Sequence, residues 1–152
     1  MEYHLTVAQA YESLQGAGTE QAGSEQAGSE QAGSEPSGEL LQLGSLTVRF
    51  YAPRVVDRQK PHTRDEVYVV ARGAASFRCC GKEIRVEQGD VLTVPAGQEH
   101  VFVQITSDFA TWVFFYGPEG GEQSAASFDS CCADPADTVT VIRPAAPGVA
   151  RS

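Results

Sequence analysis

Between Leu46 and Tyr116 the chain is a series of short runs rich in Val, Phe, Tyr, Trp and Thr, each cut off by a turn. The runs cover residues 46–51, 66–72, 75–80, 83–86, 91–94, 100–104 and 110–116. Their breaks include Gly73-Ala74, Cys80-Gly81-Lys82, Gln88-Gly89-Asp90 and Pro95-Ala96-Gly97. Glycine takes the positive φ that tight hairpins demand, so each break reads as a reversal of direction. Many short strands at close spacing, with no helical period between them, predict an all-β domain, either an antiparallel sandwich or a closed barrel.

The flanks read differently. Thr6 is placed to cap a short helix over residues 6–14, whose Val7, Ala10, Tyr11 and Leu14 share one face. Glu-Gln-Ala-Gly-Ser then repeats from Glu20, Glu25 and Glu30. That period suits neither helix nor strand, and its polar, glycine-bearing unit predicts a flexible tether. The expected organisation is a helical segment over 1–15, a low-complexity flexible linker over 16–44, a β-barrel over 45–118 and a mostly disordered tail over 119–152. Within that tail residues 138–142 are a candidate last strand. A core of about 70 residues is small for independent stability, which favours a homodimer that covers part of its surface.

The net charge of −9 comes from these flanks. Residues 45–118 hold nine Lys/Arg against eight Asp/Glu and are close to neutral. No basic footprint for nucleic acid is present. No apolar run approaches the roughly 18–20 residues needed to span a bilayer. Met1-Glu2-Tyr3-His4 has no basic stretch leading into an apolar run, so cytoplasmic residence is expected. The cysteines form two adjacent pairs, Cys79-Cys80 and Cys131-Cys132. Adjacent cysteines lack the spacing that wraps a zinc ion, so they read as thiols in a reducing compartment, with a bridge between the pairs left open.

Strand parity singles out a candidate site. In an extended segment His62, Arg64, Glu66 and Tyr68 share one side. Further on, a strand ends at Pro95-Ala96-Gly97 and His100 opens the next, sharing a face with Phe102 and Gln104. Should both segments border one barrel mouth, two imidazoles and a carboxylate converge. That set suits a non-haem divalent metal with open positions, iron(II) being the usual example. The competing reading makes the histidines hydrogen-bonded structural residues and pairs Glu66 with Arg64 or Lys60. Arg64 is a rim residue or a clamp for a substrate carboxylate. Trp112, Phe114 and Tyr116 share one face of the last run and Val113 and Phe115 the other, so one set lines the pocket.

On these residues the chain resembles the cupin superfamily, in particular small single-domain cupins often likened to mannose-6-phosphate isomerase. His62, three residues, Glu66, six residues and Gly73 follow the family's first motif. Gly89, Pro95, Gly97 and His100 follow the second at matching spacing. The departures are Lys60 at the family's first His, Arg54 at its leading Gly and Gln104 at its final Asn. The resemblance implies a double-stranded β-helix, or jelly-roll, barrel. It implies His62, Glu66 and His100 as ligands of a divalent metal (Fe, Mn, Ni or Zn) and a small-molecule substrate met by Lys60, Arg64, Tyr68, Gln104 and Trp112. The activities it implies are a metal-dependent oxygenase or an isomerase/epimerase. The Lys60 departure leaves a second expectation open, a metal-free pocket in which the lysine attracts an anion.

Overall fold

The computed structural model describes residues 4–16, 37–122 and 141–142. Among them are a helix, α1 (Val7–Gly16), and the strands β1 (Ser37–Leu43), β2 (Leu46–Tyr51), β3 (Asp65–Arg72), β4 (Ala74–Cys79), β5 (Lys82–Glu87), β6 (Val91–Val94), β7 (His100–Val103), β8 (Ala110–Tyr116) and β9 (Val141–Ile142). They form a six-stranded sheet in the order β1-β2-β8-β3-β6-β9 and a three-stranded sheet in the order β5-β4-β7. Every pairing is antiparallel. This is the expected all-β barrel architecture.

Alternation along the strands builds the core. Tyr51, Tyr68, Val70, Leu92, Val94 and Val113 from the large sheet pack in one cluster with Ala75, Phe77, Val86 and Phe102 from the small one. Tyr68 meets Phe102 edge-on with ring centroids 5.3 Å apart, and Phe77 lies 5.0 Å from Phe102. Burying such side chains contributes roughly 1.5–3 kcal/mol each. The outer face of the large sheet is covered by α1, where Ala10 joins Phe50, Ala52 and Ala110, flanked by Val7, Tyr11, Leu14 and Trp112. The helix starts in a reciprocal cap. The Gln9 N–H donates to Thr6 Oγ1 and the Thr6 N–H donates to Gln9 Oε1.

The turns follow their glycines. Cys79 pairs with Lys82 across a two-residue hairpin in which Cys80 and Gly81 have φ of 51° and 74°, a type I′ arrangement. The Cys79 and Cys80 sulfurs lie 3.7 Å apart.

The linker boundary requires correction. Residues 37–43, assigned above to the linker, form β1 and pair with β2. Leu40 packs in the cluster beneath α1, and this burial is what orders the segment. The tail also begins as fixed structure, because the Gly120 N–H donates to the Thr63 carbonyl at 2.6 Å. Within the candidate strand over 138–142, Val141 and Ile142 pair with Leu92 and Val91. Residues 17–36, 123–140 and 143–152, which carry the repeat, Cys131-Cys132 and most of the predicted tail, lie outside the described residues.

Candidate metal centre

Glu66 is the second residue of β3, where it faces the barrel interior opposite Val94 of β6 and Phe115 of β8. It is 1% exposed. His100 opens β7 opposite Cys79 of β4 and is likewise buried. His62 comes from the loop before β3 and is fastened by its carbonyl, which accepts the Gly97 N–H at 2.6 Å. Gly97, at φ 77°, thus ties the Pro-x-Gly turn of the second motif to the histidine of the first. Asp65 reinforces this join. Its two carboxylate oxygens accept the N–H groups of Ala96 at 2.8 Å and Glu122 at 2.7 Å.

The sequence-remote side chains therefore converge. His62 Nδ1 lies 2.9 Å from Glu66 Oε1, and His100 Nε2 lies 3.0 Å from Glu66 Oε2. The three ligand atoms fall within 4.8 Å of one another. Donors that surround an ion at about 2.0–2.2 Å stand about 3 Å or more from each other, so the spacing fits one ion. His100 Nδ1 lies 2.7 Å from the Gln98 carbonyl. A carbonyl can only accept, so Nδ1 carries a proton, and the neutral ring presents the Nε2 lone pair to the site. His62 Nδ1 is buried without a hydrogen bond, because its approach to Glu66 is close but misaligned. An orphaned ring nitrogen beside a buried carboxylate is what a cation would satisfy.

The charges follow from this packing. Burial works to raise the Glu66 carboxyl, but the His100 and His62 imidazoles packed against it outweigh that, and its pKa is lowered. Burial works to depress His100, but its bond to Glu66 and the carboxylate charge outweigh that, and its pKa is raised. Tyr68 is held well above the usual phenol range, first by burial and then by the charges of Glu66 and Asp57. Its hydroxyl is 3.2 Å from each Glu66 oxygen, 2.8 Å from His100 Nε2 and 2.9 Å from Gln59 Oε1.

Two cavities border these groups. An inner pocket of about 30 Å³ is lined by Arg49, Gln59, His62, Glu66, Tyr68 and Phe115, among others. That volume is on the order of one water molecule or ion. An outer cleft of about 390 Å³ is lined by Lys60, Cys79, Cys80, Gln98, Glu99 and His100, among others. Gln59 belongs to both.

Of the expected substrate-contacting residues, Tyr68 lies in the inner pocket and Lys60 on the outer cleft. The other three are elsewhere. Arg64 precedes β3, so strand parity does not govern it. Its guanidinium donates to Thr47 Oγ1 and to the carbonyls of Phe115 and Gly117. Gln104 follows the end of β7 with φ 51°, which turns its exposed side chain away from the face of His100 and Phe102. There it accepts a hydrogen bond from Ser76. Trp112 pairs with Phe50 on the outer face, ring centroids 4.9 Å apart, beneath α1. Val113 and Phe115 are the set that faces inward.

Sequence reasoning missed Arg49, Asp57 and Gln59. Asp57 is a buried hub that accepts hydrogen bonds from the Tyr51 hydroxyl, the Phe102 N–H and both the backbone and side-chain nitrogens of Gln59. With its amide nitrogen held there, Gln59 turns Oε1 towards Tyr68. The one available signal was an Asp two residues before the Gln, an Asx-turn spacing. Arg49 alternates with Val48 and Phe50 on β2, and only strand pairing decides which face is the pocket.

Comparison with known proteins places these findings. Residues 49–116 match the family model described as Cupin domain. An uncharacterized protein of Streptomyces coelicolor is 37% identical over 83 residues, which cover 53% of this chain and 79% of that protein. Among solved structures, a cupin superfamily protein from Desulfitobacterium hafniense is 18% identical, covering 59% of this chain and 84% of that one, with a TM-score of 0.48. A Cupin 2 conserved barrel domain protein from Salinispora arenicola is 17% identical, covering 63% and 91%, with a TM-score of 0.49.

Proposed function

The chain belongs to the cupin superfamily, and on that premise we propose that its barrel holds a divalent metal on His62, Glu66 and His100 and acts on a small metabolite as an oxygenase or an isomerase/epimerase. The observation that carries this reading is the unsatisfied Nδ1 of His62, buried beside Glu66 in a pocket of about 30 Å³. The adjoining cleft of about 390 Å³ lies within the size range of small-molecule sites. His100 belongs to that cleft's wall, so a ligand seated there adjoins the centre.

A divalent ion at this place supplies Lewis-acid polarisation of a coordinated substrate oxygen. The chain's own residues do the rest. Gln98 holds the His100 ring in one tautomer. Tyr68 keeps its proton and can turn its O–H between Glu66, Gln59 and a ligand oxygen. Lys60, on the rim of the outer cleft, attracts the anionic end of an entering molecule.

The test is elemental analysis of protein purified without chelators or nickel resin, then reconstituted with iron, manganese, nickel or zinc. One metal per chain, lost in His100→Ala, is the expected result. No metal after reconstitution would refute it and leave the second reading, a non-catalytic small-molecule-binding barrel. The observation favouring that alternative is Lys60 at the family's first His position, exposed and outside the inner pocket.

A further inference from the structure

Two buried side-chain nitrogens lack a hydrogen-bond partner among the described residues: His62 Nδ1 and Arg49 Nε. Both residues line the same inner pocket. They also share a neighbour. The Arg49 guanidinium lies 5.7 Å from the centre of the Phe115 ring, and the His62 ring meets that ring edge-on at 4.9 Å. From this juxtaposition we infer that Arg49, partly exposed at the open side of the inner pocket, is a substrate-binding residue that receives the carboxylate of a small organic acid beside the metal centre. The inference rests on the metal reading above and names its substrate class.

Electrostatics supports an anion. Glu66 is the one carboxylate lining the inner pocket. Asp57, buried behind Tyr51 and Gln59, adds a second negative charge close by. A divalent cation and a guanidinium still exceed these two, so an anionic ligand completes the balance. The acidic neighbour of Arg49 is Glu39, its cross-strand partner on β1, with Nη2 to Oε2 at 3.7 Å and both side chains partly exposed. That separation is beyond hydrogen-bond length, and exposed pairs of this kind hold an arginine weakly. An unsatisfied buried N–H donor is costly in an empty pocket and strong against a carboxylate, where the bond is charge-assisted. Phe115 limits the movement of both groups, so the donor stands ready before the ligand arrives.

The probe is glycolate, titrated into the full chain loaded with cobalt(II) and followed by the metal's visible absorbance. Cobalt content per chain is measured separately. Arg49→Gln should keep its cobalt and raise the glycolate dissociation constant at least tenfold, while Arg49→Lys recovers part of the loss. Glu39→Gln, which removes the partly exposed ion-pair partner, should bind glycolate at least as tightly as the parent. Equal glycolate affinity in parent and Arg49→Gln overturns the inference, as does weaker binding in Glu39→Gln. Ethylene glycol or inorganic phosphate binding more tightly than glycolate also overturns it, since the site would not then be selecting a carboxylate. Failure of the parent chain to take up cobalt overturns the metal reading and this inference together. Cobalt uptake with arginine-independent glycolate binding overturns this inference alone.

Discussion

The Gly97 N–H donates to the His62 carbonyl at 2.6 Å, joining two motifs that lie far apart in the chain. Gly97 can do this because it adopts φ 77°, and a Cβ built there meets no atom within 4 Å. The penalty for a side chain at this position is therefore backbone strain and not collision. Gly97→Ala is expected to lower stability by about 1–2 kcal/mol and to weaken metal retention by shifting His62. Urea unfolding and metal content check the two effects. Gly73→Ala provides the contrast. Its Cβ would come 2.8 Å from the Phe109 Cα and 2.5 Å from Thr106 Oγ1, so it should destabilise more. Metal bound to the folded fraction should be unchanged.

Tyr68 is the next test of how the centre is satisfied. Without a metal, its hydroxyl bridges Glu66, His100 and Gln59. Tyr68→Phe strands these buried partners, at an expected cost of about 1–3 kcal/mol in metal-free protein. With metal bound, Glu66 and His100 have another partner and the cost should shrink. Denaturant unfolding with and without metal measures the difference. An equal loss in both states would show that the hydroxyl serves packing alone.

The Glu66–His100 pair sets a pH dependence for metal-free protein. The Glu66 pKa is lowered from 4.5, so its contribution is present above that value and lost as pH falls through the folded pKa. The His100 pKa is raised from 6.5, so its contribution is complete below that value and lost as pH rises through its folded pKa. Chelator-treated protein should thus lose stability on both sides of a window around pH 5–6. Glu66→Gln should flatten both limbs. Urea midpoints from pH 3.5 to 9 provide the measurement, and an unchanged alkaline limb in the variant would contradict the pairing.

Trp112 separates packing from ligand contact. It meets Phe50 edge-on beneath α1, away from the pocket. Trp112→Ala should cost about 3 kcal/mol, the low end for such truncations because the side chain is only half-buried. Metal stoichiometry and glycolate affinity of the folded variant should match the parent. A selective loss of glycolate binding would return this residue to the site.

Much of this protein was determined by sequence alone. Alternating apolar residues and glycine-bearing breaks specify where strands start and stop, because side-chain period and positive φ are local properties. Thr6 announces the helix start for the same reason, since its cap closes within one turn. The fixed spacings around His62, Glu66 and His100 marked three side chains that the fold does bring together. Tertiary structure decided what depends on partners distant in the chain. Strand pairing sent Val113 and Phe115 inward and left Trp112 to the helix. Gln104 itself turned left-handed just past β7 and so left the face of His100. Asp57 turned Gln59, not Lys60, towards the inner pocket, and β2 brought Arg49 to its wall. Apart from the Asx-turn spacing of Asp57 and Gln59, none of these placements has a local signature. Each arises because a buried donor, acceptor or ring must find its complement across the barrel, and only the closed fold determines which residue stands there.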